Sequence, residues 1–180
     1  MFARTRRLTL RPGWPEDAAA LAAAIAHEDV VMQLARVPWP YGEADAVAYL
    51  TSGESARDIG FLICAHEGGA PRLIGSIALT PQADSHELGY WLTPDAWGRG
   101  YATEAGRAVV EMARHALPIR RLSAACSPGN TASAGVLRKL GFRDTGRREL
   151  RPSRARGRVS ESVMMELDVD GQRPAMPIAA

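Results

Sequence analysis

The sequence predicts an α/β (α+β) domain of three layers, with helices on both faces of a mixed, mostly antiparallel sheet of about six or seven strands. The first observation is the order of the segments: a strand, a group of helices, three strands, a helix, a strand, a helix and two strands. The second is an ordinary globular composition, 46% hydrophobic and 23% charged. The third is the length of 180 residues, which suits one domain.

The N-terminal third begins with a strand and continues with helices. Alternating polar and apolar residues from Arg6 to Arg11 predict a half-buried strand, which Pro12 and Gly13 end. Ala-rich or periodic segments, the first opened by Pro15 and two carboxylates, predict three helices. Their expected ranges are 15–26, 28–35 and 43–51.

The rest of the chain supplies most of the sheet. Two apolar runs around a Gly/Pro turn predict a hairpin, and four further runs predict four more strands with two helices between them. The expected strands are 61–65, 73–79, 87–92, 121–127, 143–150 and 159–167, and the expected helices are 101–116 and 131–140. We expect a single domain over residues 1–168 and a flexible tail over 169–180.

Composition and charge argue against several classes of protein. The 22 Lys and Arg against 20 Asp and Glu give a net charge of +2, so no overall field attracts DNA. Cys64 and Cys126 lie in apolar runs without zinc-ligand spacing, which fits reduced thiols and no metal site. The apolar stretch at 18–26 is too short to span a bilayer. We therefore expect a cytoplasmic protein with no membrane segment.

A glycine-containing turn at 97–103 is the most informative segment. Amides at the start of a helix lack acceptors within the helix, and the helix dipole adds partial positive charge there, so an anion is stabilised. Gly98 and Gly100 remove side chains that would keep a pyrophosphate from the backbone. The pattern alone also fits an ordinary tight turn, and it lacks the Gly-Lys-Ser/Thr of a Walker loop and the third glycine of a dinucleotide fingerprint.

Four segments form an ordered combination within residues 6–168: ELGYWL at 87–92, WGRGYATEA at 97–105, NTAS at 130–133 and LRKLGF at 137–142. This combination resembles the GNAT acetyltransferase superfamily, and most closely its branch of ribosomal-protein alanine N-acetyltransferases (RimJ/RimL-like). Trp97 stands where the family's loop often begins with Gln or Arg, which is common in this branch and leaves the amide cradle untouched.

The resemblance implies where acetyl-CoA binds. It places the pyrophosphate on the loop formed by Trp97, Gly98, Arg99, Gly100, Tyr101, Ala102 and Thr103. It also implies a splayed central strand pair, with the pantetheine arm in the gap and bonded to backbone near Tyr90, Trp91 and Leu92. Gly89 fits a close backbone approach in this strand, or simply a packing position.

Acetyl transfer to an amine needs a base, stabilisation of the thioester oxygen, and a proton or solvent for the departing thiolate. Glu87 is the candidate base, working through water; the alternative is an ion-paired or edge-exposed glutamate. Asn130 fits a helix N-cap, and the resemblance adds a contact to the cofactor or the reacting centre. Leu137 stands where many members of the family place a Tyr that acts as the general acid. The resemblance therefore makes Ser133 the candidate acid and a cofactor contact. The alternative is an exposed helix serine.

The acceptor side is less determined. Arginines crowd the predicted closing hairpin at 143–158, which is either a solvated hairpin or the wall of a channel that favours an acidic peptide or a phosphate-bearing amine. Trp39 and Tyr41 either line the amine pocket or cover the sheet.

The predicted function is acetyl-CoA-dependent N-acetylation of a primary amine, either a protein N-terminus, ribosomal proteins included, or a small amine. A non-catalytic acyl-CoA-binding regulatory module is the alternative, and RNA or ribosome association through the arginine hairpin is a third hypothesis. Homodimers are common among similar enzymes, but no residue here demonstrates one.

Overall fold

In the computed structural model, which describes residues 1–52, 58–67 and 69–169, the chain forms eight strands and five α-helices. The strands are β1 (Ala3–Arg4), β2 (Leu8–Arg11), β3 (Ile59–Ala65), β4 (Arg72–Pro81), β5 (His86–Leu92), β6 (Arg121–Cys126), β7 (Arg143–Ser153) and β8 (Arg158–Asp168). The helices are α1 (Ala18–Ile25), α2 (Glu28–Val31), α3 (Glu43–Thr51), α4 (Tyr101–His115) and α5 (Thr131–Lys139).

All eight strands form one sheet in the order β1-β2-β3-β4-β5-β6-β8-β7. Every neighbouring pair is antiparallel except β5 and β6, which are parallel and joined only by the pairs His86↔Leu122 and Glu87↔Ser123. Beyond Glu87 the two strands separate. The predicted mixed, mostly antiparallel sheet with a splayed central pair is therefore confirmed.

On the side of β5 opposite the splay, β4 and β5 approach each other closely. An added Cβ at Gly75 of β4 would lie 2.1 Å from the carbonyl oxygen of Trp91, so only glycine lets β4 and β5 approach this closely. The N–H of Thr93 then donates to the carbonyl of Ile74 at 2.8 Å. Strand β5 is thus held against β4 at the end where it parts from β6.

Helices cover both faces of the sheet. Helices α4 and α5 bury one side of the sheet in the main core, which includes Tyr101, Val109 and Leu137. Helices α1 and α3 pack on the opposite face around Leu62, whose neighbours Phe61 and Ile63 point into the main core. The predicted three-layer architecture is confirmed.

Two segment predictions need correction. The sheet has eight strands rather than six or seven, because β1 is only two residues long and too short to show an alternating pattern. Helix α2 ends at Val31 rather than at Ala35. The carbonyls of Met32 and Leu34 instead accept hydrogen bonds from the β7–β8 turn, through Arg156 Nε at 2.8 Å and Ser153 Oγ at 3.2 Å.

The structure also places the two cysteines and the C-terminal end of its described part. Cys64 and Cys126 are buried free thiols. Val169 is fully buried and its N–H donates to the carbonyl of Arg120 at 2.9 Å, while the remainder of the predicted tail, 170–180, lies outside the described residues. Among the residues that the structure describes, no helix is long and apolar enough to cross a membrane.

The start of α1 is held by a forked ion pair, which makes stability there depend on pH. Arg11 donates to both oxygens of Asp17, at 2.6 and 2.7 Å, and the N–H of Trp14 adds a third bond at 2.9 Å. The hydrogen bonds from Arg11 hold the pKa of the Asp17 carboxyl below its usual value of 3.8. The carboxylate therefore stabilises the fold above pH 3.8, and this contribution is lost as the pH falls through the lower folded-state pKa.

Asp17→Asn is expected to lower the free energy of unfolding by about 2 kcal/mol at pH 7, because Arg11 loses both charge-assisted bonds. The difference from wild type should shrink below about pH 4, as measured by urea unfolding at several pH values. Asp95→Asn is the matched control, since Asp95 pairs with Arg72 at 2.7 Å but is 59% exposed. Its cost should be about 0.5 kcal/mol or less. A pH-independent cost for Asp17→Asn would contradict the assignment.

Candidate active site

A cleft of about 1310 Å³ runs through the splay between β5 and β6. At one end it reaches the turn before α4, and at the other it reaches the β7–β8 hairpin and the loop after α2. All of the predicted site residues except Arg99 line it, namely Glu87, Tyr90, Trp91, Leu92, Trp97, Gly98, Gly100, Tyr101, Ala102, Thr103, Asn130 and Ser133. The residues that the sequence predicts for the site therefore lie around one cleft in the fold.

The turn before α4 has the backbone shape that the two glycines permit. Gly98 has φ +71° and Gly100, the N-cap of α4, has φ +79°. An added Cβ on Gly98 would meet no atom within 4 Å, so the space above this backbone is open. Helix α4 is 15 residues long, and the residues of its first turn line the same cleft, where its free amides and dipole favour an anion.

A network of hydrogen bonds from residues near the N-terminus holds this turn in place. Glu104 of α4 accepts hydrogen bonds from the Thr5 hydroxyl at 2.6 Å, the Arg7 N–H at 2.9 Å and Arg7 Nε at 2.8 Å. Arg7 also donates to the carbonyl of Arg99 at 3.0 Å. Burial raises the pKa of Glu104, but these hydrogen bonds outweigh burial and the pKa is lowered. The connection between β1 and β2 thus anchors the loop through a charged carboxylate.

Arg99 turns away from the cleft toward Glu67. The carboxylate of Glu67 accepts hydrogen bonds from both Arg99 and the Tyr101 hydroxyl. The guanidinium groups of Arg7 and Arg99 lie 4.5 and 5.0 Å from the centre of the Tyr101 ring. Arg99 is therefore held beside the loop, with its side chain 48% exposed.

On the α5 side of the splay, three predicted residues form one cluster. Asn130 Oδ1 accepts from the Ser133 N–H at 3.0 Å, which confirms Asn130 as the N-cap of α5. Ser133 is half-buried, and its Oγ lies 2.9 Å from the Tyr90 hydroxyl. Burial raises the pKa of Tyr90 to about 12. The alternative of an exposed helix serine does not fit this position.

Glu87 lies on the opposite face of β5. It pairs across the strands with Thr80, as Gly89 pairs with Ala78, whereas Tyr90 pairs with Ile77 and packs against the main core. An added Cβ on Gly89 would meet no atom within 4 Å, so packing does not require a glycine there. The splay thus opens a passage between the Tyr90 face and the Glu87 face.

Arg151 of β7 holds the Glu87 carboxylate in a fork. Arg151 Nη1 lies 2.9 Å from Glu87 Oε1, and Nη2 lies 2.9 Å from Oε2. The two side chains are 26% and 22% exposed, so each still reaches the cleft. The structure therefore has the alternative arrangement, an ion-paired Glu87, and the Glu87 side chain still lines the cleft.

The β7–β8 turn closes the end of the cleft opposite the turn before α4. Arg154 N–H donates to the carbonyl of Ala35 at 2.9 Å, next to the contacts of Ser153 and Arg156 with the same loop. Arg151, Arg154 and Arg156 all line the cleft. Other hairpin arginines form exposed ion pairs, such as Arg147 with Glu149 at 3.2 Å.

The two aromatic residues of the N-terminal part separate. Tyr41 lines the cleft and packs against the clusters under α1 and α2. Trp39 is 37% exposed at the surface. In the described part of the chain, no group of three or more His, Cys, Asp and Glu side chains is placed to hold a metal ion.

Several contributors to the site have no local signal in the sequence. Tyr90 is predicted only through its backbone, Arg151 is one of a run of arginines, and Arg7 and Glu104 are 97 residues apart. Their roles depend on contacts between distant segments. The one clue is Leu137, which stands where the resemblance leads us to expect a Tyr and has no proton to donate. Another hydroxyl nearby must then take that role.

Comparison with known sequences gives the following matches. A family model described as an acetyltransferase (GNAT) domain matches residues 7–143. The uncharacterized N-acetyltransferase YnaD of Bacillus subtilis is 26% identical over 148 residues, which cover 81% of this chain and 85% of that protein.

Solved structures show the same fold. RimL, a ribosomal L7/L12 alpha-N-protein acetyltransferase in complex with coenzyme A, superposes with a TM-score of 0.79 at 18% identity over 96% of this chain and 100% of that one. Mycobacterium smegmatis RimJ in complex with CoA-disulfide gives 0.76 at 22% identity over 93% and 86%.

Proposed function

Because the chain belongs to the GNAT acetyltransferase family, we propose that it binds acetyl-CoA and transfers the acetyl group to a primary amine by direct attack on the thioester. The observation that carries this proposal is the continuity of one passage. It begins at the open amide cradle of Gly98 and Gly100, follows the gap between β5 and β6, and ends beside Glu87. Residues 1–168 form the proposed acetyltransferase domain.

The cradle fits a pyrophosphate. The backbone of Gly98 and Gly100 is in the left-handed region, and the space over Gly98 would be filled by a side chain. The first amides of α4 supply donors with no competing acceptor within the helix. Solved relatives with this fold contain coenzyme A, which supports the same donor here.

The reaction balances without another reactant. The amine nitrogen attacks the carbonyl carbon, the C–N bond forms, and the electron pair of the broken C–S bond stays on sulfur. An ammonium gives up two protons in all: one leaves before attack, and the other ends on sulfur. The products are an amide, the free thiol of coenzyme A and one released proton.

Glu87 is the proposed base. It stands on the acceptor face of β5, and its forked pair with Arg151 fixes the direction of the carboxylate. A positioned carboxylate can receive the ammonium proton through one water. Arg151 would also attract an acceptor that carries negative charge.

Asn130 and Ser133 serve the sulfur side. Asn130 caps α5 and so fixes the first turn that carries Ser133. The Ser133 hydroxyl lies on the cleft at the splay, where it can donate to the departing sulfur. We assign Ser133 the role of hydrogen-bond donor and acid to the thiolate.

The acceptor that we propose is a protein N-terminal α-amine. One solved relative is named as a ribosomal L7/L12 alpha-N-protein acetyltransferase, and another carries the name RimJ. A small amine is the alternative acceptor. Three cleft-lining arginines, Arg151, Arg154 and Arg156, favour an acceptor with acidic groups near the amine. The two reduced cysteines support a cytoplasmic setting.

The experiment is a thiol-release assay on the purified chain. Acetyl-CoA is supplied with N-terminal peptides of acidic and neutral sequence, an amino sugar and a polyamine. We expect thiol release that depends on both substrates and is fastest with an acidic peptide. Tight cofactor binding with no turnover on any amine would instead support the non-catalytic acyl-CoA-binding module.

Arg154→Gln is expected to raise KM for an acidic peptide by about fivefold at low salt and to leave KM for a neutral peptide unchanged. Arg143→Gln is the matched control, because Arg143 is exposed at the far end of β7. Steady-state kinetics at low and moderate salt make the comparison. An equal effect of Arg154→Gln on both peptides would remove the acidic acceptor from the proposal.

A further inference from the structure

The side chain of Tyr90 has no role in the function proposed above, yet it lines the passage at the splay. It lies where β5 leaves β6, it is half-buried, and its hydroxyl points at the first turn of α5. Tyr90 Oη lies 2.9 Å from Ser133 Oγ and 3.3 Å from the carbonyl oxygen of Ser133. Both residues line the cleft.

Two hydrogen-bond arrangements are compatible with these distances. In the first, Tyr90 donates to the Ser133 carbonyl and the Ser133 hydroxyl donates back to Tyr90 Oη. In the second, Tyr90 donates to Ser133 Oγ, and the Ser133 hydrogen is free to point into the cleft. A hydroxyl has one hydrogen, so only the second arrangement lets Ser133 donate to a ligand.

A negative sulfur favours the second arrangement. The Ser133 hydrogen then points at an anion, and the hydrogen bond from Tyr90 polarises the Ser133 oxygen and strengthens its donation. The interaction is stronger once charge has built up on sulfur than in the bound thioester. Such a difference lowers the barrier and leaves ground-state binding nearly unchanged.

We propose that Tyr90 is a positioning residue for acetyl transfer, whose hydroxyl turns the Ser133 hydrogen toward the departing sulfur of coenzyme A. This inference rests on the proposed function, in which Ser133 serves the thiolate. Tyr90 keeps its proton throughout. Ser133 gives its hydrogen to sulfur and regains one from the attacking nitrogen, so neither side chain ends the step changed.

The surroundings keep Tyr90 suited to this task. Its ring packs against the main core and its partner residue Ile77 is 1% exposed, so the ring has little freedom. Burial raises the pKa of Tyr90 to about 12, whereas a thiol ionises near 8.5. The phenol therefore remains a donor throughout the cycle and does not give up its proton to the thiolate.

The test is a double-mutant cycle with Tyr90→Phe, Ser133→Ala and the two together. Acetyl transfer is measured in single turnovers with enzyme in excess, so that product release does not hide the chemical step. Calorimetry with coenzyme A and thermal unfolding are run on each variant. Ser133→Ala keeps the backbone N–H that Asn130 caps, so α5 retains its N-terminus.

We expect Tyr90→Phe to slow transfer by about three- to tenfold, with the Kd for coenzyme A within twofold of wild type. Ser133→Ala should have a similar or larger effect, and adding Tyr90→Phe to it should cause no further loss. The reason is that the Ser133→Ala variant has no hydroxyl at this position for Tyr90 to direct.

Three results would overturn the inference. The first is an unchanged rate for Tyr90→Phe, and the second is losses that multiply in the double variant, which would indicate independent roles. A Tyr90→Phe effect that appears only in Kd or thermal stability would also do so, because it would indicate packing. A wild-type chain that releases no thiol with any amine is a different failure, since it removes the proposed function itself.

Discussion

Gly98→Val is expected to weaken coenzyme A binding by about 10- to 100-fold. Gly98 has φ +71°, a conformation that costs a β-branched residue about 1–2 kcal/mol. The chain can relieve that cost only by leaving the shape that aims its amides at the ligand. The new side chain would also project into the open space over the loop, where a pyrophosphate must approach.

The matched control for this substitution is Gly146→Val. Gly146 has φ +76° and, like Gly98, would place an added Cβ more than 4 Å from any other atom, but it lies in the exposed part of β7. Both variants should lose similar thermal stability, and only Gly98→Val should lose cofactor affinity in calorimetry. Wild-type affinity in Gly98→Val would show that the amides of this turn do not hold the diphosphate.

Most of the sheet and all of the helices could be predicted from local pattern. The ranges of α3 and α4 follow from capping and periodicity, and α3 matches its predicted range of 43–51. The order of the strands in the sheet could not be predicted from local pattern. That β8 lies between β6 and β7 depends on pairing between distant segments, which hydrophobic alternation does not encode.

The same division holds for the site. Gly98, Gly100 and Asn130 are predictable because a turn, a φ value and a cap are properties of a few consecutive residues. The fork of Arg151 on Glu87 joins residues 64 apart, and one arginine among several on a hairpin carries no mark of its partner. The Tyr90–Ser133 contact likewise needs the tertiary fold.

Glu87→Gln is expected to lower kcat by about 100-fold or more, with KM for acetyl-CoA nearly unchanged. The amide keeps the shape of the side chain but cannot accept the ammonium proton. Turnover of the variant should then follow the fraction of free amine and keep rising with pH until the amine itself deprotonates, near pH 8 for an α-amine. Kinetics across pH 6 to about 9 measure both effects.

Two further variants separate a base from a structural ion-pair partner. Arg151→Gln removes the fork but leaves the carboxylate, so a catalytic Glu87 should retain much of its turnover in that variant. If Glu87 serves only to hold Arg151, the two substitutions should be equally harmful, and their combination no worse. Glu149→Gln is the control, because Glu149 pairs with Arg147 at 3.2 Å on the same hairpin and is 44% exposed. Wild-type turnover in Glu87→Gln would leave the deprotonation of the amine to solvent and remove the base from the mechanism.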